Sequence, residues 1–214
     1  MSKNDNDRSL KFKILSGLLN EMQEHPETVT DEDRSALKKI HSALCKALGI
    51  SEHLDWKIEW IVDKWHSTAD MLAGVAPYET VRDSQNIVLD SGANEILKLI
   101  SGTGGTAFNN ANARIVVGNV ATAENATQTG VLATGSNRAE AVMDSGYPQV
   151  SGRTVTYRAT FGEGAAKFDW REACILNGSI SNSGTIAMNR KVSNMGTKEE
   201  GTWTMQIVIT LLST

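Results

Sequence analysis

Apolar residues recur every three or four positions at the front of the chain and every second position from Trp56 onward. Leu10, Ile14, Leu15, Leu18, Leu19 and Met22 line one face of an amphipathic helix. His25-Pro26 ends it, because proline disfavours helical geometry in the residue before it. A second helix is predicted from Thr30, a capping residue followed by Asp31, Glu32 and Asp33, whose charges suit the positive end of a helix dipole. Its stripe is Leu37, Ile40, Leu44 and Leu48, and Gly49 stands at the expected left-handed C-cap. The pattern predicts a helical hairpin over residues 1–50, fronted by a flexible polar arm, Met1 to Arg8. Two helices of this length cannot enclose a core, so the hairpin is expected to dock on the rest of the chain or on a partner.

At Asp55 the period changes to two. Trp56, Ile58, Trp60 and Val62 alternate with Lys57, Glu59, Ile61 and Asp63, predicting a strand with one aromatic face that runs on through Lys64, Trp65 and His66. Residues 67–86 read as a surface connection. A short helix is predicted over 92–100, with Ser91 as cap, Ile96, Leu97 and Ile100 as its apolar side, and Gly102 as its stop. Strands follow near 113–118, 138–144, 153–161, 167–176, 185–192 and 202–212, and Asn177-Gly178 is a hairpin signal. In the last strand Trp203, Met205, Ile207, Ile209 and Leu211 share one face. The fold class expected is α+β: the hairpin of residues 1–50, then a mainly antiparallel β-sandwich over 55–214 with one short inserted helix.

Composition narrows the function more than it defines it. The 214 residues carry 21 Lys and Arg against 25 Asp and Glu, a net charge of −4, with no basic cluster to follow a phosphate backbone, so no nucleic-acid partner is expected. No apolar run reaches the roughly 18 residues of a membrane span, and the N-terminus lacks the apolar core of a signal peptide. Cys45, on a helix face, and Cys174, in a strand, are expected to be small buried hydrophobes in a protein made in a reducing cytoplasm.

Residues able to do chemistry are sparse. His25, His41, His53 and His66 form no metal-ligand spacing, and no metal or cofactor is expected. Ser101-Gly-Thr-Gly-Gly-Thr106 follows a helix instead of opening one and lacks the Gly-Lys-Ser/Thr ending of a phosphate loop. Glu172 is in phase with Phe168 and Trp170, which points it toward the core and demands a partner; Arg190 and Arg158 are the candidates. Asp169 and Glu172 could instead form a glycosidase acid–base pair, but a structural ion pair is favoured. Trp56, Trp60, Trp65, Trp170 and Trp203 could stack on sugars, though their placement on strands favours core or interface. These side chains suit a structural component more than an enzyme, and no catalytic residue is assigned.

The spaced blocks Asp55-Trp-Lys-Ile-Glu-Trp-Ile-Val-Asp-Lys-Trp65, Asn86-Ile-Val-Leu-Asp-Ser-Gly92, Ala126-Thr-Gln-Thr-Gly-Val-Leu132, Met143-Asp-Ser-Gly-Tyr-Pro148, Phe168-Asp-Trp-Arg-Glu172, Met188-Asn-Arg-Lys-Val192 and Gly201-Thr-Trp-Thr204 resemble a family of small tailed-bacteriophage virion proteins. The resemblance covers residues 55–214 and extends faintly to the attachment part of collar-type tail fibres. The helical front looks like an addition to that family, and Cys174 and Ile175 depart from it slightly. The resemblance implies a virion location and, as partners, major capsid or neck and tail subunits and further copies of the same chain. Because the last strand is followed by no shaft or tip, capsid decoration or cement is the expected role. A neck, collar or tail accessory is the first alternative and a carbohydrate-binding module the second.

Overall fold

The two-residue period becomes ten strands in the computed structural model, which describes residues 55–84 and 87–212. The hairpin predicted for residues 1–50, with His25, His41, His53 and Cys45, lies outside the described residues. In order the elements are β1 (Asp55–Trp65), α1 (Thr68–Leu72), β2 (Glu79–Ser84), β3 (Ile87–Val88) and α2 (Asp90–Ser101). There follow β4 (Arg114–Gly118), a 3-10 turn (Gly135–Asn137), β5 (Arg138–Val142), β6 (Gln149–Ser151) and β7 (Thr154–Phe161). The series ends with β8 (Asp169–Leu176), β9 (Asn189–Thr197) and β10 (Thr202–Leu212).

The strands form two five-stranded sheets, ordered β2-β1-β10-β7-β6 and β3-β9-β8-β4-β5. Pairing is antiparallel for β1 with β2, β10 with β7, β4 with β5 and with β8, and β8 with β9. The sheets pack face to face as a sandwich. Ile58, Trp60 and Val62 of β1 and Trp203, Met205, Ile207 and Ile209 of β10 meet Ile115 and Val117 of β4 and Trp170, Ala173 and Ile175 of β8. Trp170 anchors the middle, edge-on to Phe161 at 4.8 Å and to Trp203 at 4.9 Å between ring centroids, a preferred aromatic arrangement. Burying one such side chain stabilises by roughly 1.5–3 kcal/mol.

Several expectations need correction. The stretch read as a connection, 67–86, holds α1 and the edge strand β2. Ser67 caps α1, accepting a hydrogen bond from the Asp70 amide at 3.1 Å. β2 is exposed and polar, so it carries little apolar alternation to mark it as a strand. Ser91 does not cap α2. The N-cap position is Leu89, which makes no side-chain cap bond; it is fully buried, with its amide on the Met188 carbonyl at 3.1 Å. α2 packs through Gly92, Ile96 and Leu99, which leaves Leu97 and Ile100 exposed. Gly92 permits the contact: a Cβ there would lie 2.2 Å from the Met188 carbonyl oxygen. Asn177-Gly178 does not make a two-residue hairpin. β8 and β9 are joined by the long segment 177–188, and the Asn177 side chain holds its ends through the Ile186 amide at 2.7 Å.

Candidate functional site

Among the described residues, a fully buried ion pair, Glu172 with Arg190, lies on the outer face of the second sheet. Between Trp170 and Glu172 the β8–β9 register shifts at a bulge. Trp170 therefore points into the sandwich, as do Ala173 and Ile175, whereas Glu172 shares the opposite face with Cys174 and Leu176. Glu172 is thus buried on the side away from Trp170, not in phase with it. A bulge changes the parity of every residue after it, and period-two extrapolation cannot see that.

Of the two arginines considered, Arg190 meets Glu172, while Arg158 pairs with Asp144 at 3.0 Å. The Arg190 guanidinium donates to Glu172 Oε2 through Nε at 2.9 Å and Nη2 at 2.7 Å, and both side chains are 0% exposed. The remaining nitrogen, Nη1, donates to the Thr122 carbonyl at 3.0 Å and to Gln128 Oε1 at 2.8 Å. The carboxylate also accepts from two backbone amides: Leu132 at 2.9 Å to Oε2 and Ala133 at 2.7 Å to Oε1. Every polar atom of the pair is engaged within the chain. Together they fasten the irregular segment 119–134 over the outer face of β4, β8 and β9. Gly118 makes room, since a Cβ there would approach Glu172 Oε1 and the Ala133 methyl at 2.7 Å each. Beneath the same segment Leu89, Val116, Cys174, Leu176 and Ala187 form a second, smaller apolar cluster.

Asp169 stands apart from this centre. It is partly exposed at the start of β8, bonded to the Thr197 hydroxyl and to Arg171 at 3.4 Å, and those contacts hold its carboxyl below the usual range. A glycosidase pair must face one cleft. Glu172 faces none, its oxygens being occupied by amides and a guanidinium.

The tryptophans separate by depth. Trp60, Trp170 and Trp203 are core, and Trp65 is buried with its indole N–H on the Val75 carbonyl at 2.7 Å. Trp56 alone reaches an open apolar groove of about 340 Å³, shared with Ile96, Leu99, Phe108, Val150 and Tyr157. Val150, 77% exposed, lies on it. Among the residues that sequence reasoning passed over, Lys64 is the clearest: it is enclosed on β1, 4.3 Å over the Trp203 ring and 3.0 Å from Glu79. Its place in the inward phase of β1 was the available signal. Glu95 was also passed over; it ties α2 to the Thr106 amide at 2.6 Å and to Asn177 at 3.1 Å. His66 stacks on Tyr78 at 4.4 Å. Cys174 is a free thiol, wholly buried, and burial pushes its pKa up to about 12.

Among the described residues no group of three or more His, Cys, Asp and Glu could hold a metal ion, and no helix is long and apolar enough to cross a membrane. Comparison with protein-family models, with curated proteins and with solved structures returns no match.

Proposed function

We propose that this chain is a structural component of a bacteriophage virion, without enzymatic activity, that stabilises the particle by binding neighbouring subunits. Capsid decoration or cement is the favoured position. The observation that carries this reading is the Glu172–Arg190 pair: among the described residues this fully buried charged centre has each of its polar atoms committed to its partner or to segment 119–134. It supports a shape, with each of these atoms already bonded inside the chain. The sugar-stacking alternative loses its platform, because Trp60, Trp65, Trp170 and Trp203 are packed inside. The apolar groove at Trp56 and the exposed Leu97, Ile100 and Val150 supply contact surface of the kind assemblies use.

The test is stoichiometric. Particles are purified and the protein is counted against the major capsid subunit. A copy number that scales with the capsid lattice supports decoration. A count matching a single ring moves the protein to the neck or tail. Absence from the particle overturns the proposal.

A further inference from the structure

Arg138, the first residue of β5, shares the outer face of the second sheet with Glu172, since both sit opposite Gly118 of β4. Unlike that of Arg190, its side chain makes no hydrogen bond or ion pair with any described residue. The nearest acid on its own strand, Glu140, is committed elsewhere, to the Ser179 hydroxyl at 2.7 Å and the Ile180 amide at 2.7 Å. Glu172 is saturated by Arg190 and two amides. Yet Arg138 is half-buried, lining a cavity of about 190 Å³ between segment 129–131 and segment 176–185. Leu176 and the Cys174 thiol contribute apolar wall, and Thr129, Asn182 and Thr185 contribute polar groups. The charge of Arg138 reaches that thiol, where it opposes the dominant effect of burial.

A guanidinium withdrawn from water without a counter-charge is costly. Its planar fork matches the paired oxygens of a carboxylate or phosphate. The volume equals that of about six waters in the liquid, enough for a small oxyanion with part of its hydration. We propose that this cavity is an oxyanion site in which Arg138 binds a phosphate or carboxylate group, with Asn182 and Thr129 at its rim. The site is separate from the Glu172–Arg190 staple and does not depend on the virion reading.

The test is titration of the full chain with inorganic phosphate and, separately, acetate, at fixed ionic strength against chloride, followed by amide NMR. The expected result is saturable shifts confined to Gly130, Val131, Asn182, Thr185 and their neighbours. The stronger of the two ions identifies the oxyanion geometry preferred. Arg138→Met, which keeps the apolar stem, should weaken binding about tenfold or more, as loss of a charge-assisted hydrogen bond does. Arg138→Lys should fall between the two, because it keeps the charge without the fork. Absence of saturable shifts, or equal affinity in Arg138→Met, overturns the site. If that variant fails to fold, the wild-type titration decides: shifts spread over surface lysines instead of the cavity overturn it.

Discussion

The second sheet has two faces, made from alternate residues of the same strands and held by different physics. Its inner face is apolar: Trp170, Ala173 and Ile175 pack against the first sheet, and close fit does the stabilising. Its outer face carries an irregular cover, segment 119–134, held by directed hydrogen bonds from one carboxylate and one guanidinium. A core tolerates modest change of shape because neighbours can shift. A saturated ion pair tolerates little, since either partner alone is a buried charge without compensation.

That contrast can be broken most sharply at Arg190. Arg190→Met should cost about 3–5 kcal/mol in chemical denaturation, because it strands Glu172. Converting both, Glu172→Leu with Arg190→Met, should cost less than the sum of the single changes. Additive losses would show that the two residues act independently. Trp170→Ala on the inner face should cost a comparable amount, about 3–5 kcal/mol. The signatures differ: hydrogen exchange in 119–134 should rise selectively in the Arg190 variant and uniformly in the Trp170 variant.

Gly92→Ala tests a third kind of contact, a helix seated directly on the backbone carbonyl just before β9. Its Cβ would lie 2.2 Å from the Met188 oxygen, so α2 must move, at about 1–3 kcal/mol by thermal or chemical denaturation.

A further effect appears only at high pH. Cys174 and Tyr157 both have pKa values raised by burial, each to about 12. Both are neutral when protonated, so the native state holds its protons while the unfolded chain releases them. Stability from Cys174 is therefore complete below the ordinary thiol pKa of about 8.5 and declines as pH rises from there toward 12, by at most about 1.4 kcal/mol per pH unit. Cys174→Ala should flatten the decline between about pH 8.5 and 10, where Tyr157 has yet to contribute. An unchanged slope would show that the thiol ionises in the native state.

The strands that bury one face could be read from the sequence, and β10 over Thr202–Leu212 coincides with its expected span. What escaped was geometry that spacing does not encode. β2 and β6 are exposed edge strands, and β3 has only two residues, so none has a sustained apolar phase. The Glu172–Arg190 pairing could be posed as a choice from charge and burial alone. The face it occupies could not, because the bulge after Trp170 inverts the phase. The partners of the pair, Thr122, Gln128, Leu132 and Ala133, belong to an irregular segment whose course is fixed by the ion pair itself.

The position of β10 has a kinetic consequence. It is the last described strand in the chain, yet it lies in the middle of the first sheet, hydrogen-bonded between β1 and β7. On a ribosome β1 and β7 emerge well before the strand that joins them, and until then the inner faces of both are open to water and to one another's wrong edges. Folding of the first sheet must wait for a contact between the two ends of the domain, which places this protein among slow, high-contact-order folders. The nascent chain is correspondingly exposed to mispairing before β10 arrives.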